Sequence, residues 1–136
     1  MITNDLEDSS TLTQFRFEIA AWIRLVKFLN EENTYLKNRL SEVIDQIQDS
    51  ENLALAEHFQ NQFIIKDDVY DHVLFDLKKQ LFKWRDAKSI HSNETCEELN
   101  KTQKNLRAQI EFIEREHVVI TKDYNTYLSS LSLSKY

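Results

Sequence analysis

The chain has 136 residues and contains neither glycine nor proline. Average usage would place roughly 9 and 7 of them in a chain of this length. Glycine supplies the φ > 0 conformations of tight turns, and proline ends or kinks helices. A chain lacking both is directed toward long helices with few, short, polar connections. The same absence removes whole chemistries. A P-loop, a dinucleotide-binding fingerprint and a nucleophile elbow each need glycine where backbone meets a ligand or turns sharply. None is present.

Apolar spacing leads to the same place. Stepping alternately by three and four from Leu12 gives Phe15, Ile19, Trp22, Val26, Leu29, Asn33, Leu36, Leu40, Val43 and Ile47. A second seam runs Leu53, Ala56, Gln60, Phe63, Asp67, Tyr70, Leu74, Leu77, Leu81, Trp84. A third runs Cys96, Leu99, Gln103, Leu106, Ile110, Ile113, His117, Ile120, Tyr124, Tyr127, Leu131. Sustained a/d spacing predicts left-handed helix packing. Thr11 and Gln14 have capping-box spacing at the first start. Gln48-Asp49-Ser50 separates the first two seams, with Ser50 as N-cap, and His91-Ser92-Asn93 separates the second from the third, with Ser92 or Asn93 as cap.

Short connections make successive helices antiparallel neighbours. The expectation is an all-α, elongated up-down-up antiparallel three-helix coiled-coil bundle, with helices at about 12–48, 51–90 and 93–132. One domain would span 11–132, between a flexible tail at 1–10 and a frayed end at 133–136.

In an antiparallel hairpin the numbers of facing residues add to a near-constant value, about 100 for the first pair and about 187 for the second. Asn33, which breaks the first seam, then faces Asp67, and Tyr70 faces His117. These four are expected to form a buried, hydrogen-bonded polar layer that sets register, as a polar a-position does in coiled coils. The alternative is a metal site on Asp67, Glu114 and His117, because Glu114 and His117 have the E-x-x-H spacing of helix-bundle di-iron proteins. Such sites take that motif from two helices and a further Glu from each of two more; here it occurs once. No cofactor is expected. His58 and His72 fall at outward positions, and Asp68, His72 and Asp76 offer fewer than the four ligands that close a structural zinc site. Cys96 reads as a small buried hydrophobe, without the His-plus-acid set of an activated nucleophile. No catalytic residue is assigned, and the chain is read as a non-enzyme.

Several apolar residues lie off the seams. Phe17, Phe28 and Tyr35 cluster on the face of the first helix opposite its core stripe, and Ile64, Phe75 and Phe82 line the second. Aromatic stripes in this position call for cover by another protein surface. Charge is uneven as well. Arg16, Arg24, Lys27, Lys78, Lys79, Lys83, Arg85, Lys88, Lys101, Lys104 and Arg107 gather at one end of the expected bundle. Glu31, Glu32, Glu42, Asp45, Asp49, Glu51, Glu57, Asp67 and Asp68 lie toward the other. Net charge is −6, and Asp76, Asp86, Glu97 and Glu98 interrupt the basic group, so nucleic acid is not the expected partner. MITNDLEDSS lacks the basic and apolar regions of a secretory leader, no apolar run approaches a membrane span, and one cysteine allows no intrachain disulfide. The expected setting is cytoplasmic, with no membrane partner.

ENTYLKNRLSE and FQNQFIIKDD resemble segments of small, uncharacterised all-helical proteins of Bacteroidota-type bacteria, a likeness that implies no activity. AWIR around Trp22 is similar to the first helix of spectrin repeats, which are also three-helix units. The third helix here lacks their usual Trp and the helices are longer, so that likeness implies architecture alone. The function expected is a protein–protein interaction or structural module acting through the aromatic stripes, as a homodimer or on a helical partner.

Overall fold

The computed structural model describes residues 2–86 and 93–133, with side chains over 11–86 and 96–131. It contains three α-helices: α1 (Ile2–Ile44), α2 (Ser50–Arg85) and α3 (Asn93–Leu133). Among the described residues there is no strand. The chain is an all-α three-helix bundle, as the three seams predict.

The helix ends differ from the expected bounds, each for a local reason. α1 starts at Ile2 rather than near residue 12. Nothing in ITNDLEDSST breaks a helix, since it holds neither glycine nor proline. At the other end α1 stops at Ile44, where the chain tightens into i→i+3 bonds: Gln46 N–H donates to the Val43 carbonyl at 3.0 Å, and Ile47 N–H to Ile44 at 3.2 Å. Ile47 stays buried beyond the helix end. The cap of α2 is Asp49 instead of Ser50. Its Oδ2 accepts from Asn52 N–H at 3.2 Å, and its carbonyl accepts from Leu53 N–H at 2.9 Å, which is N-cap geometry. α2 ends at Arg85, short of residue 90; of the two expected caps of α3, Ser92 lies outside the described residues, and α3 opens on Asn93.

Contacts divide the chain into two compact units, each with a stretch of every helix. Unit 1 comprises Met1–Lys27 and His72–Glu111, and unit 2 comprises Phe28–Asp71 and Phe112–Tyr136. Unit 1 buries Ile19, Val26, Val73, Leu77, Trp84, Leu99, Leu106 and Ile110. Phe15 leans on the Trp84 ring with centroids 5.2 Å apart. Unit 2 has a core of Leu36, Leu40, Ile47, Ala56, Phe59, Phe63, Ile120, Tyr124, Tyr127 and Leu131. Phe63 meets Tyr124 edge-on at 5.3 Å and 85°, and Phe59 meets both Tyr124 and Tyr127. Such offset or edge contacts add about 0.5–1.5 kcal/mol per pair beyond area burial.

All three seams hold: none of their residues is exposed. On α2 the buried stripe is wider than the seam. Phe59, Val73 and Gln80 are buried beside Phe63, Tyr70, Leu77 and Trp84, because a helix contacting two neighbours buries a broader face than a strict a/d pattern covers.

Candidate functional site

Within unit 2 the two expected pairs form. Asn33 Nδ2 donates to the Phe63 carbonyl at 2.9 Å and to Asp67 Oδ1 at 2.7 Å. Asp67 Oδ2 takes an ion pair from Lys37, a partner the heptad reading did not foresee. The Tyr70 hydroxyl lies 3.3 Å from His117 Nδ1, and His117 Nε2 lies 2.9 Å from Glu32 Oε1. A carboxylate only accepts, so the ring carries a proton on Nε2 toward Glu32; in the neutral imidazole Nδ1 then accepts from the phenol. Burial, then the nearby carboxylates of Glu116, Glu32 and Asp67, push the Tyr70 hydroxyl well above the ordinary phenol range. Tyr70 therefore keeps its proton. The layer ties α1 to α2 through Asn33–Asp67–Lys37 and joins all three helices through Tyr70–His117–Glu32.

The alternative set, Asp67, Glu114 and His117, does not assemble as metal donors. Glu114 is exposed, Asp67 is engaged by Asn33 and Lys37, and His117 by Tyr70 and Glu32. Among the described residues no three His, Cys, Asp or Glu side chains converge to hold an ion. His58 and His72 are exposed, and Cys96 is half-buried.

Unit 1 holds a second polar network. Gln80 and Gln103 are both fully buried. Gln80 Nε2 donates to the Leu99 carbonyl at 2.9 Å and to Gln103 Oε1 at 3.2 Å, and Trp84 Nε1 donates to the same oxygen at 3.0 Å. Gln103 Nε2 donates to Glu18 Oε1 at 3.0 Å, and Arg107 grips both Glu18 oxygens at 3.0 and 2.6 Å. Arg16 reaches the Trp84 carbonyl with two nitrogens, at 3.2 and 2.6 Å. Burial alone would raise the Glu18 carboxyl; the hydrogen bonds from Arg107 and Gln103 and the Arg107 charge hold it below its ordinary value. The signal for this network was present. Gln103 interrupts the third seam at the level the register assigns to Trp84.

The off-seam residues are on the surface. Unit 1 exposes Phe17 at 73%, Phe75 at 68% and Phe82 at 70%; unit 2 exposes Phe28 at 57%, Tyr35 at 61% and Ile64 at 49%. Unit 2 also exposes Ile65, Phe112, Val118 and Val119, which the α1 and α2 stripes left out. Phe112 and Val119 edge a groove of about 500 Å³ between α2 and α3, with Lys66 and Glu116 along it, and Ile65 lines an adjoining hollow of about 270 Å³. Burial pulls the Lys66 ammonium below its ordinary value, partly offset by Glu116. Charge follows the units. Unit 1 carries eleven basic and ten acidic residues, and unit 2 six basic and thirteen acidic. No described helix is long and apolar enough to cross a membrane.

Comparison with protein-family models, with curated proteins and with solved structures finds no match to this chain. The functional reading therefore rests on the surfaces just described.

Proposed function

We propose that the chain is a cytoplasmic, non-enzymatic protein–protein interaction or structural module, which buries its exposed aromatics against a second copy or another helical protein. One observation carries this reading. Five rings that a core would accept (Phe17, Phe28, Tyr35, Phe75 and Phe82) each stand more than half exposed on well-formed helices whose inward faces are already filled. Single exposed apolar side chains are ordinary, but repeated large rings on outward helical faces are what partner surfaces cover. The polar networks of both units are consistent with a structural role, since their donors and acceptors are largely spent on one another.

The test combines solution mass with partner capture. Wild type is expected to self-associate in sedimentation equilibrium, or to retain a protein partner in a pull-down. Phe28→Asp and Phe75→Asp are expected to lose that association while keeping full helicity by circular dichroism. If both variants associate as wild type does, the exposed rings are not the working surface and the reading fails.

A further inference from the structure

Four of the exposed rings belong to two matched octets. In unit 2, α1 reads FLNEENTY over residues 28–35; in unit 1, α2 reads FDLKKQLF over residues 75–82. Each octet has an aromatic at both ends and two like charges at its fourth and fifth positions. Residues three, four and seven apart share a helical face, so each octet presents ring, charge pair and ring in one row. Both rows lie on the outside. Phe28, Glu31 and Tyr35 are exposed, as are Phe75, Lys78, Lys79 and Phe82; Glu32 is half-buried, with one oxygen on His117.

The two rows carry opposite charge at equivalent positions. Glu31 and Glu32 stand where the other octet has Lys78 and Lys79. In the sequence the inversion continues four residues beyond each end: Arg24 and Arg39 flank Phe28 and Tyr35, whereas Asp71 and Asp86 flank Phe75 and Phe82.

We propose that the 28–35 row of one copy docks on the 75–82 row of a second copy of this chain. This rests on the interaction-module reading and names its partner and register. When the rows face each other, ring lies over ring and the two Glu meet the two Lys. Each octet is symmetric end to end in these features, so the match forms in either running direction. Docking like on like sets Glu against Glu or Lys against Lys, which disfavours it. Ring burial supplies the affinity, and the charges select the mate.

A charge swap tests this. Glu31→Lys/Glu32→Lys and Lys78→Glu/Lys79→Glu are each run alone and as an equimolar mixture, by sedimentation equilibrium with helicity checked in parallel. Wild type is expected to associate. Each variant alone is expected to associate about tenfold or more weaker, because like charges then face. The mixture is expected to recover the wild-type affinity. Because Glu32 also holds His117, Glu31→Lys mixed with Lys78→Glu/Lys79→Glu serves if the acidic-row double variant misfolds. A wild type that stays monomeric up to ~1 mM overturns the pairing, and the module reading is then decided by partner capture with the ring-to-Asp variants. An associating wild type whose affinity ignores the swap, or whose variants fail to recover on mixing, also overturns it, while leaving self-association through another surface.

Discussion

Tyr124 and Glu18 each make the stability of this fold depend on pH, at opposite ends of the scale. Tyr124 is fully buried, its hydroxyl has no hydrogen-bond partner, and burial pushes its pKa up to about 12. The unfolded chain releases this proton near pH 10 and the folded chain holds it longer, so stability falls as pH rises through that window. The loss is about 1–3 kcal/mol by the time both forms are ionised. Tyr124→Phe should therefore flatten the alkaline limb of stability in urea melts between pH 10 and 12. At pH 7 it should cost nothing, or gain up to about 1 kcal/mol, because an unsatisfied buried hydroxyl is removed. Tyr70→Phe should behave differently, losing about 0.5–1.5 kcal/mol at pH 7 with its bond to His117. Glu18 acts at the acid end. Its folded pKa is lowered, so its contribution is present above the unfolded carboxylate value and is lost as pH falls through the lowered one. Glu18→Gln should make melting temperature less dependent on pH across the acid range. The Asn33–Asp67 and Tyr70–His117 pairs were legible in the sequence because hairpin register places backbone levels. Lys37 and Glu32 were not, because long side chains reach beyond their own level.

At the scale of helices, interiors were easier to read than ends. Heptad spacing located every stretch of α1, α2 and α3, yet the cap of α2 fell to Asp49 because its carboxylate and carbonyl both reach the first turn. The extra width of the α2 stripe at Phe59 and Gln80 was also missed, since a two-position repeat describes one seam and α2 packs on two helices. Asn33→Leu tests what the polar layer does for helix pairing. Asn33 Oδ1 is buried without a partner, so an apolar replacement of similar size removes one unsatisfied acceptor as well as two donated bonds. Its stability is expected to stay within about 1.5 kcal/mol of wild type in urea melts. Its topology or oligomeric state is expected to become mixed, because a polar seam residue penalises slipped registers in which it lacks a partner. A variant with one sharp species and unchanged mass would show that the apolar seams alone set the pairing.

For the molecule as a whole, the missing glycine and proline and the three seams made the fold class legible, whereas the partner was not. Heptad spacing states which faces pack inward; it says nothing of what meets the outward ones. The division of contacts into two units was also invisible, since the seams run through Lys27–Phe28, Asp71–His72 and Glu111–Phe112 without a change of pattern. What the seam hides, the ring contacts reveal: unit 2 is centred on Phe59, Phe63, Tyr124 and Tyr127, and unit 1 on Trp84 with its glutamine network. Each unit thus has its own most cohesive core on helices that both share. Phe63→Ala removes a fully buried ring from unit 2 and should cost about 3–5 kcal/mol. If the cores are separately cohesive, amide exchange should quicken across 28–71 and 112–133 well before it does across 72–86 and 96–111. Equal quickening at every protected amide would instead mean that the helices transmit the loss end to end and the bundle opens as one cooperative block.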